Sequence, residues 1–180
     1  SAAPRRPGRP IGGQLVVDRD HVLDAAERVI KRDGPGASLE SVAVEAGVTK
    51  PIVYDRVGGR AELADALAER LSDRMLEATE DAIAGETLNQ ASLSRLVRAN
   101  LLAVAEHREL FLYVTGGTTE QTAIGRLSLA ERSTTPLAKT LAVWRKSQGQ
   151  DPKVAEAWSF AIVGMLQMIS VWWITQPERA

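Results

Sequence analysis

The segment ASLESVAVEAGVTKPIVYDRVGGRAEL, from Ala37 to Leu63, constrains this chain most, because its spacing admits two short helices, a tight corner and little else. Ser38 is a good N-cap, Glu40 complements the helix dipole in the first turn, and Leu39, Val42, Ala43 and Ala46 recur at i, i+3, i+4 and i+7. One face of that helix is therefore buried. Gly47 stands just past the last periodic residue, where a left-handed helix end is expected, and Thr49 can cap a second helix with Pro51 in its first turn. Two short helices meeting at a glycine, with a third starting near Arg60, form a helix-turn-helix of the kind that places a helix in a DNA major groove.

On the second helix Val48, Val53 and Val57 can face inward, which leaves Thr49, Lys50, Pro51, Ile52, Tyr54 and Arg56 outward or at the rim. A lysine can reach guanine O6/N7 or a phosphate, a hydroxyl serves base or backbone, and apolar groups can touch a thymine methyl. An ordinary helical hairpin with solvated charges has the same spacing, so this surface chemistry carries the DNA-binding expectation. Asp55 would repel phosphate and is expected to point away from DNA. Upstream, PRRPGRP at Pro4 to Pro10 is cationic, proline-rich and without apolar periodicity. Its Arg5, Arg6 and Arg9 resemble an arginine hook for a narrow minor groove; the alternative is a solubilising tail.

Residues 18 to 71 resemble the N-terminal domain of the TetR family of transcriptional regulators, whose second and third helices run as IA-x-x-AGV-s-x-x-t-LY-x-h-F-x-s-K-x-x-L. The matching stretch here is VAVEAGVTKPIVYDRVGGRAEL, with the Ala46-Gly47-Val48 corner, Tyr54, the Gly58-Gly59 turn and Arg60 before Glu62-Leu63 in their expected places. The resemblance implies that Thr49, Lys50, Pro51 and Ile52 face the groove, that Tyr54 and Arg56 meet phosphate or base edges, that Ser38 contacts a phosphate and that Arg60 clamps the DNA backbone. Three positions depart from the pattern: Ile52 replaces a frequent Thr or Ser, Val57 a frequent Phe, and Gly59 a frequent Ser or Asn cap.

Charge is divided unevenly along the chain. Residues 1–60 hold 10 Lys and Arg against 8 Asp and Glu, whereas residues 61–180 hold 12 against 15, for a total of −1. A small basic docking surface on an acidic body fits this better than a non-specific nucleic-acid binder. There are no cysteines, which excludes disulfides and thiolate metal sites and suits a reducing cytoplasm. The N-terminus has no apolar signal-peptide core, and the run Phe160 to Ile174, broken by Gln167 and Ser170, is read as too short to span a membrane.

The domain expectation is a basic arm over residues 1–17, a helix-turn-helix domain over 18–62 and a helical ligand-binding and dimerisation domain over 63–180. In the last, Leu63, Leu67, Leu71 and Met75 mark a long helix ending near Gly85. A helix from Ala91 to His107 buries Leu93, Leu96, Val97, Leu101 and Val104, a short one passes through Leu110, Phe111 and Val114, and a third, from Glu120 to Gln148, breaks at Thr135-Pro136. The final helix, Asp151 to Gln176, has one stripe of Val154, Ala157, Trp158, Ala161, Met165, Met168 and Trp172 and another of Phe160, Val163, Val171 and Ile174. It is apolar nearly all round, which calls for a partner subunit as well as its own core.

Catalytic chemistry is not expected. His21 and His107 form no metal-binding pair, no phosphate loop or nucleophile elbow is present, and no cofactor is implied. His21 is read as solvated, and His107 as a helix-ending cation. The chain is thus expected to be an all-α homodimer that binds double-stranded DNA, and the resemblance implies a repressor released from a palindromic operator by a small effector. A ligand-independent architectural DNA binder is the alternative. Candidate effector contacts, chosen as polar or bulky groups on core-facing stripes, are Asn100, Val104, His107, Phe111, Tyr113, Trp144, Met165 and Met168.

Overall fold

The computed structural model describes residues 17–83, 89–115 and 120–176, and all regular structure among them is helical. Helix α1 (Arg19–Asp33) opens on Asp18, whose carboxylate accepts from the His21 amide at 2.8 Å, and ends with Lys31 and Arg32, so both ends suit the helix dipole. A 3₁₀ turn (Gly34–Gly36) leads to α2 (Leu39–Ala46). Here Ser38 Oγ accepts from the Ser41 amide at 3.1 Å, and Gly47 closes the helix in the left-handed region at φ 67°. Helix α3 (Lys50–Val57) follows at once. Thr49 takes the N-cap backbone conformation, but its hydroxyl makes no cap bond, contrary to the sequence reading. Pro51 sits where one of the amides such a cap would serve is missing.

Helix α4 (Arg60–Ile83) solves the absence of a Ser or Asn cap in another way: the Gly59 amide donates to Glu62 Oε2 at 2.9 Å, half of a capping box. It is followed by α5 (Gln90–Glu106), opened by a full Asn89–Ser92 capping box, then α6 (Arg108–Thr115), α7 (Glu120–Ser147), a 3₁₀ turn (Pro152–Val154) and α8 (Ala155–Ile174). Helix α7 runs through Pro136 without the expected break. Proline removes one ladder bond, and packing along α4 and α8 holds the helix across it.

Helices α1–α3 pack on one another as a head, and α4 carries that head into a bundle with α5, α7 and α8. The core is continuous between the two. Val22, Leu23, Val53 and Val57 of the head join Leu63, Leu67 and Leu71 of α4, Val104 and Ile174 of the bundle, and Phe111 and Val114 of α6. Helix α6 closes the junction by packing on α1, on the Gly34–Gly36 turn and on α4. The boundary expected at residue 62 falls inside α4.

On α5 only part of the expected stripe is buried: Val104 is inaccessible, Leu96, Val97 and Leu101 are partly covered, and Leu93 is exposed. The larger correction concerns α8. Its inward face is Ala155, Ser159, Val163, Ser170 and Ile174, whereas Trp158, Met165, Met168 and Trp172, read as a core stripe, lie outside with Met168 71% exposed. Ala155, Ser159 and Ser170 on that face let α8 approach its neighbours closely, with Val163 and Ile174 filling the space between them. With its leading turn the helix spans Pro152–Ile174, long and apolar enough by length and composition to cross a membrane, and so exceeds the shorter run counted from sequence.

Candidate nucleic-acid interface

Val53 and Val57 anchor α3 in the head, both nearly inaccessible, and this orientation exposes Thr49, Lys50, Pro51, Ile52, Tyr54, Asp55 and Arg56. The face carries hydroxyls, a small apolar step at Pro51-Ile52 and two cations on a helix of two turns. Both cations already have partners. Lys50 Nζ lies 3.5 Å from Glu40 Oε2 of α2. Arg56 Nε donates to the Val17 carbonyl at 2.8 Å, and its guanidinium is 3.0 Å from Asp55 Oδ2. Arg56 thereby ties α3 to the segment entering α1, next to the point where the expected arm joins; Arg5, Arg6 and Arg9 themselves lie outside the described residues.

Two expected phosphate contacts are held by the protein itself. Ser38 remains exposed, but its hydroxyl caps α2 and lies 3.0 Å from Ser41 Oγ. Arg60 donates to the Ala37 carbonyl at 2.6 Å and to the Pro35 carbonyl at 2.9 Å, and its guanidinium lies 4.7 Å from the centre of the Tyr113 ring. A planar fork with several donors and an apolar face suits this triple role. The expected clamp on DNA backbone is, in this structure, a clamp on the protein's own backbone.

Ion pairs brace the head from behind. Glu45 of α2 accepts from Arg28 at 2.8 Å and Arg32 at 3.0 Å of α1, and these bonds hold its carboxyl below the usual range. Arg70 of α4 reaches Asp24, Asp20 and Glu27 of α1 at 2.6, 2.9 and 3.3 Å. Partial burial opposes its charge, and the three carboxylates outweigh that burial and raise its pKa. His21 adds a contact that sequence reading misses: Nε2 lies 3.1 Å from the Ala46 carbonyl at the end of α2. Its partner is 25 residues away, so no local pattern announces it.

The candidate effector contacts do not converge. Val104, Phe111 and Tyr113 are packed into the shared core, and burial raises the Tyr113 pKa although the Arg60 cation opposes it. Asn100 is buried with its amide donating to Ser170 Oγ at 3.2 Å. Trp144 is half-buried on α7, and Met165 and Met168 point out from α8, against the core-face assignment. His107 caps the end of α5 and lines a cleft of ≈ 680 Å³ between head and bundle, where Asp24, Arg74, Glu106 and Arg108 mix both signs of charge. Along α5 an open groove of ≈ 530 Å³ is mainly apolar, with Leu93, Val97, Leu101, Leu102 and Trp173 as walls and Arg98 at its side. Sequence reading missed this groove because it assigned Leu93 to the core.

Residues 22–67 match the family model for bacterial regulatory proteins of the tetR family. Over 167 residues the chain is 25% identical to an uncharacterised HTH-type transcriptional regulator of Mycobacterium tuberculosis, covering 90% of this chain and 70% of that protein. Among solved structures the fold is similar to the fatty acid degradation regulator FadR of Bacillus halodurans, at a TM-score of 0.65 and 20% identity over 89% of each chain. It is also similar to the TetR-family regulator PfmR of Thermus thermophilus, at a TM-score of 0.53 and 20% identity over 88% of this chain and 89% of that one.

Proposed function

Given that this chain belongs to the tetR family of bacterial regulatory proteins and is a DNA-binding transcriptional regulator, we propose that it acts as a homodimeric repressor. Two α3 helices would enter successive major grooves of a palindromic operator, and a small effector bound in the helical bundle would release them. The observation that carries this reading is the outward face of α3, where Thr49, Lys50, Pro51, Ile52 and Tyr54 offer hydroxyl, cationic and apolar groups on a helix anchored by Val53 and Val57. Arg56 serves by holding the entry to α1, and the arm's Arg5, Arg6 and Arg9 supply sequence-independent attraction. A cytoplasmic location goes with a DNA target.

Dimerisation is supported by the outer face of α8. Trp158, Met165, Met168, Ile169 and Trp172 form a bulky apolar surface on a helix whose opposite face already serves its own chain. A second copy would bury that surface and set two reading helices about one turn of DNA, roughly 34 Å, apart or somewhat more. Release is supported by the unbroken core from Phe111 to Val22: an effector that repacks α5 or α6 bears directly on the head. Asn100, Val104, His107, Phe111 and Tyr113 are the residues such repacking would move.

Selection of bound duplexes from a random pool tests the DNA reading, with a two-fold-symmetric motif as the expected result. A motif without a dyad would overturn the dimeric reading. The effector is tested by thermal-shift screening of apolar and amphiphilic metabolites, each hit then being titrated with and without the selected duplex. Effector and DNA should weaken each other by the same factor, typically about 5- to 150-fold. Hits that bind equally in both states would leave a ligand-independent DNA binder.

A further inference from the structure

Helix α3 carries two cations, and they are engaged differently. Arg56 is committed to the Val17 carbonyl and Asp55, which leaves Lys50 as the α3 cation with an ammonium at the exposed corner between α2 and α3. There it lies 3.5 Å from Glu40 Oε2, and both side chains are open to solvent, Glu40 at 70%. A carboxylate this exposed at the front of a DNA-reading head works against general phosphate attraction. Its placement beside the reading lysine is what it offers in return.

We propose that Glu40 is a positioning residue that sets sequence discrimination by holding Lys50 toward base edges. The proposal rests on the DNA-reading role of α3 proposed above. An ammonium has three donors, so Lys50 can keep Glu40 and still donate to guanine O6 or N7. Fixing one end of a long, flexible side chain lowers the ordering cost of that base contact. In a wrong register Lys50 can gain only a phosphate, and following it there brings the Glu40 carboxylate against the DNA backbone. The same carboxylate thus supports the base contact and penalises the phosphate contact.

The test compares the full-length protein with Glu40→Gln, Lys50→Ala and the double variant, on the duplex selected by the wild type and on a scrambled duplex, over a series of salt concentrations. Glu40→Gln should lower the ratio of the two affinities by at least about fivefold, the lower end of what one base contact contributes. It should also bind the scrambled duplex more tightly, up to about eightfold at ~0.1 M salt, with a slope against log salt steeper by up to about 0.9, as for one added phosphate contact. In the Lys50→Ala background, Glu40→Gln should leave the ratio unchanged. Loss of the helix-dipole contribution of Glu40 would lower the melting temperature in both backgrounds alike and cannot produce this dependence on Lys50. An unchanged ratio in Glu40→Gln, or the same change with Lys50 absent, would overturn the proposal. Failure of the wild type to select any sequence would instead overturn the DNA-reading role of α3.

Discussion

Arg60 shows how one residue can join parts of the chain that its neighbours in sequence do not. Its fork holds the carbonyls of Pro35 and Ala37 at the entry to α2 while its face covers Tyr113 of α6. Lysine at this position keeps the charge and loses the two-carbonyl geometry. Arg60→Lys should therefore cost about 1–3 kcal/mol in urea unfolding, as expected when hydrogen bonds to a charged group are lost. An unchanged midpoint would mean that the clamp adds nothing. Tyr113 gives a pH signature. Burial raises its pKa in the fold above the ordinary 10.0, so the folded state favours the neutral phenol. That contribution is complete below the unfolded-state value and is lost as pH rises through the folded one. Tyr113→Phe should leave stability at neutral pH nearly unchanged and flatten its decline above pH 10, measured by thermal melts across that range.

Among the elements, the helix ends are decided by a few residues with different physical demands. Gly47 and Gly58 both have positive φ, 67° and 78°, but their surroundings differ. A Cβ at Gly47 would meet open space, so Gly47→Ala should cost only the backbone term, about 1 kcal/mol. A Cβ at Gly58 would stand 2.7 Å from the Cβ of Glu62, the residue whose carboxylate caps α4. Gly58→Ala should cost clearly more, and equal urea midpoints for the two variants would show that this crowding is relieved freely. Helix α7 tolerates Pro136 in its interior. Pro136→Ala restores a missing donor and should stabilise the protein, by up to about 3 kcal/mol if nothing else changes.

For the molecule as a whole, the shared core predicts cooperative unfolding of head and bundle. Phe111 is fully buried between them, and Phe111→Ala should cost about 3–5 kcal/mol while leaving one calorimetric transition. Two separate transitions in the wild type would contradict the continuity of that core. The outer face of α8 makes a second prediction at this scale. Met168 is so exposed in the single chain that Met168→Glu should leave its fold intact, yet a charge in the centre of the proposed apolar interface should disperse the proposed dimer. Sedimentation should then show monomers, and affinity for a dyad site should fall; a persistent dimer would place the interface elsewhere.

The local signals in this chain were strong wherever short-range chemistry decides the outcome. The Ser38 cap, the left-handed Gly47, the inward Val53 and Val57 and the exposure of the α3 face all follow from spacing over a single turn or two, where backbone bonding and helical period leave few alternatives. What sequence could not decide was which of several comparable surfaces meets which. On α8 both stripes are apolar, and only packing against α5 and α7 selects the face with Ser159 and Ser170 and leaves Met165 and Met168 outside. Likewise, a cation at the start of α4 is compatible with a phosphate or a carbonyl; Arg60 meets Ala37 and Tyr113 because α6 folds back beneath the head. Such choices depend on contacts between residues far apart in the chain, for which no local periodicity exists, and the tertiary structure alone makes them.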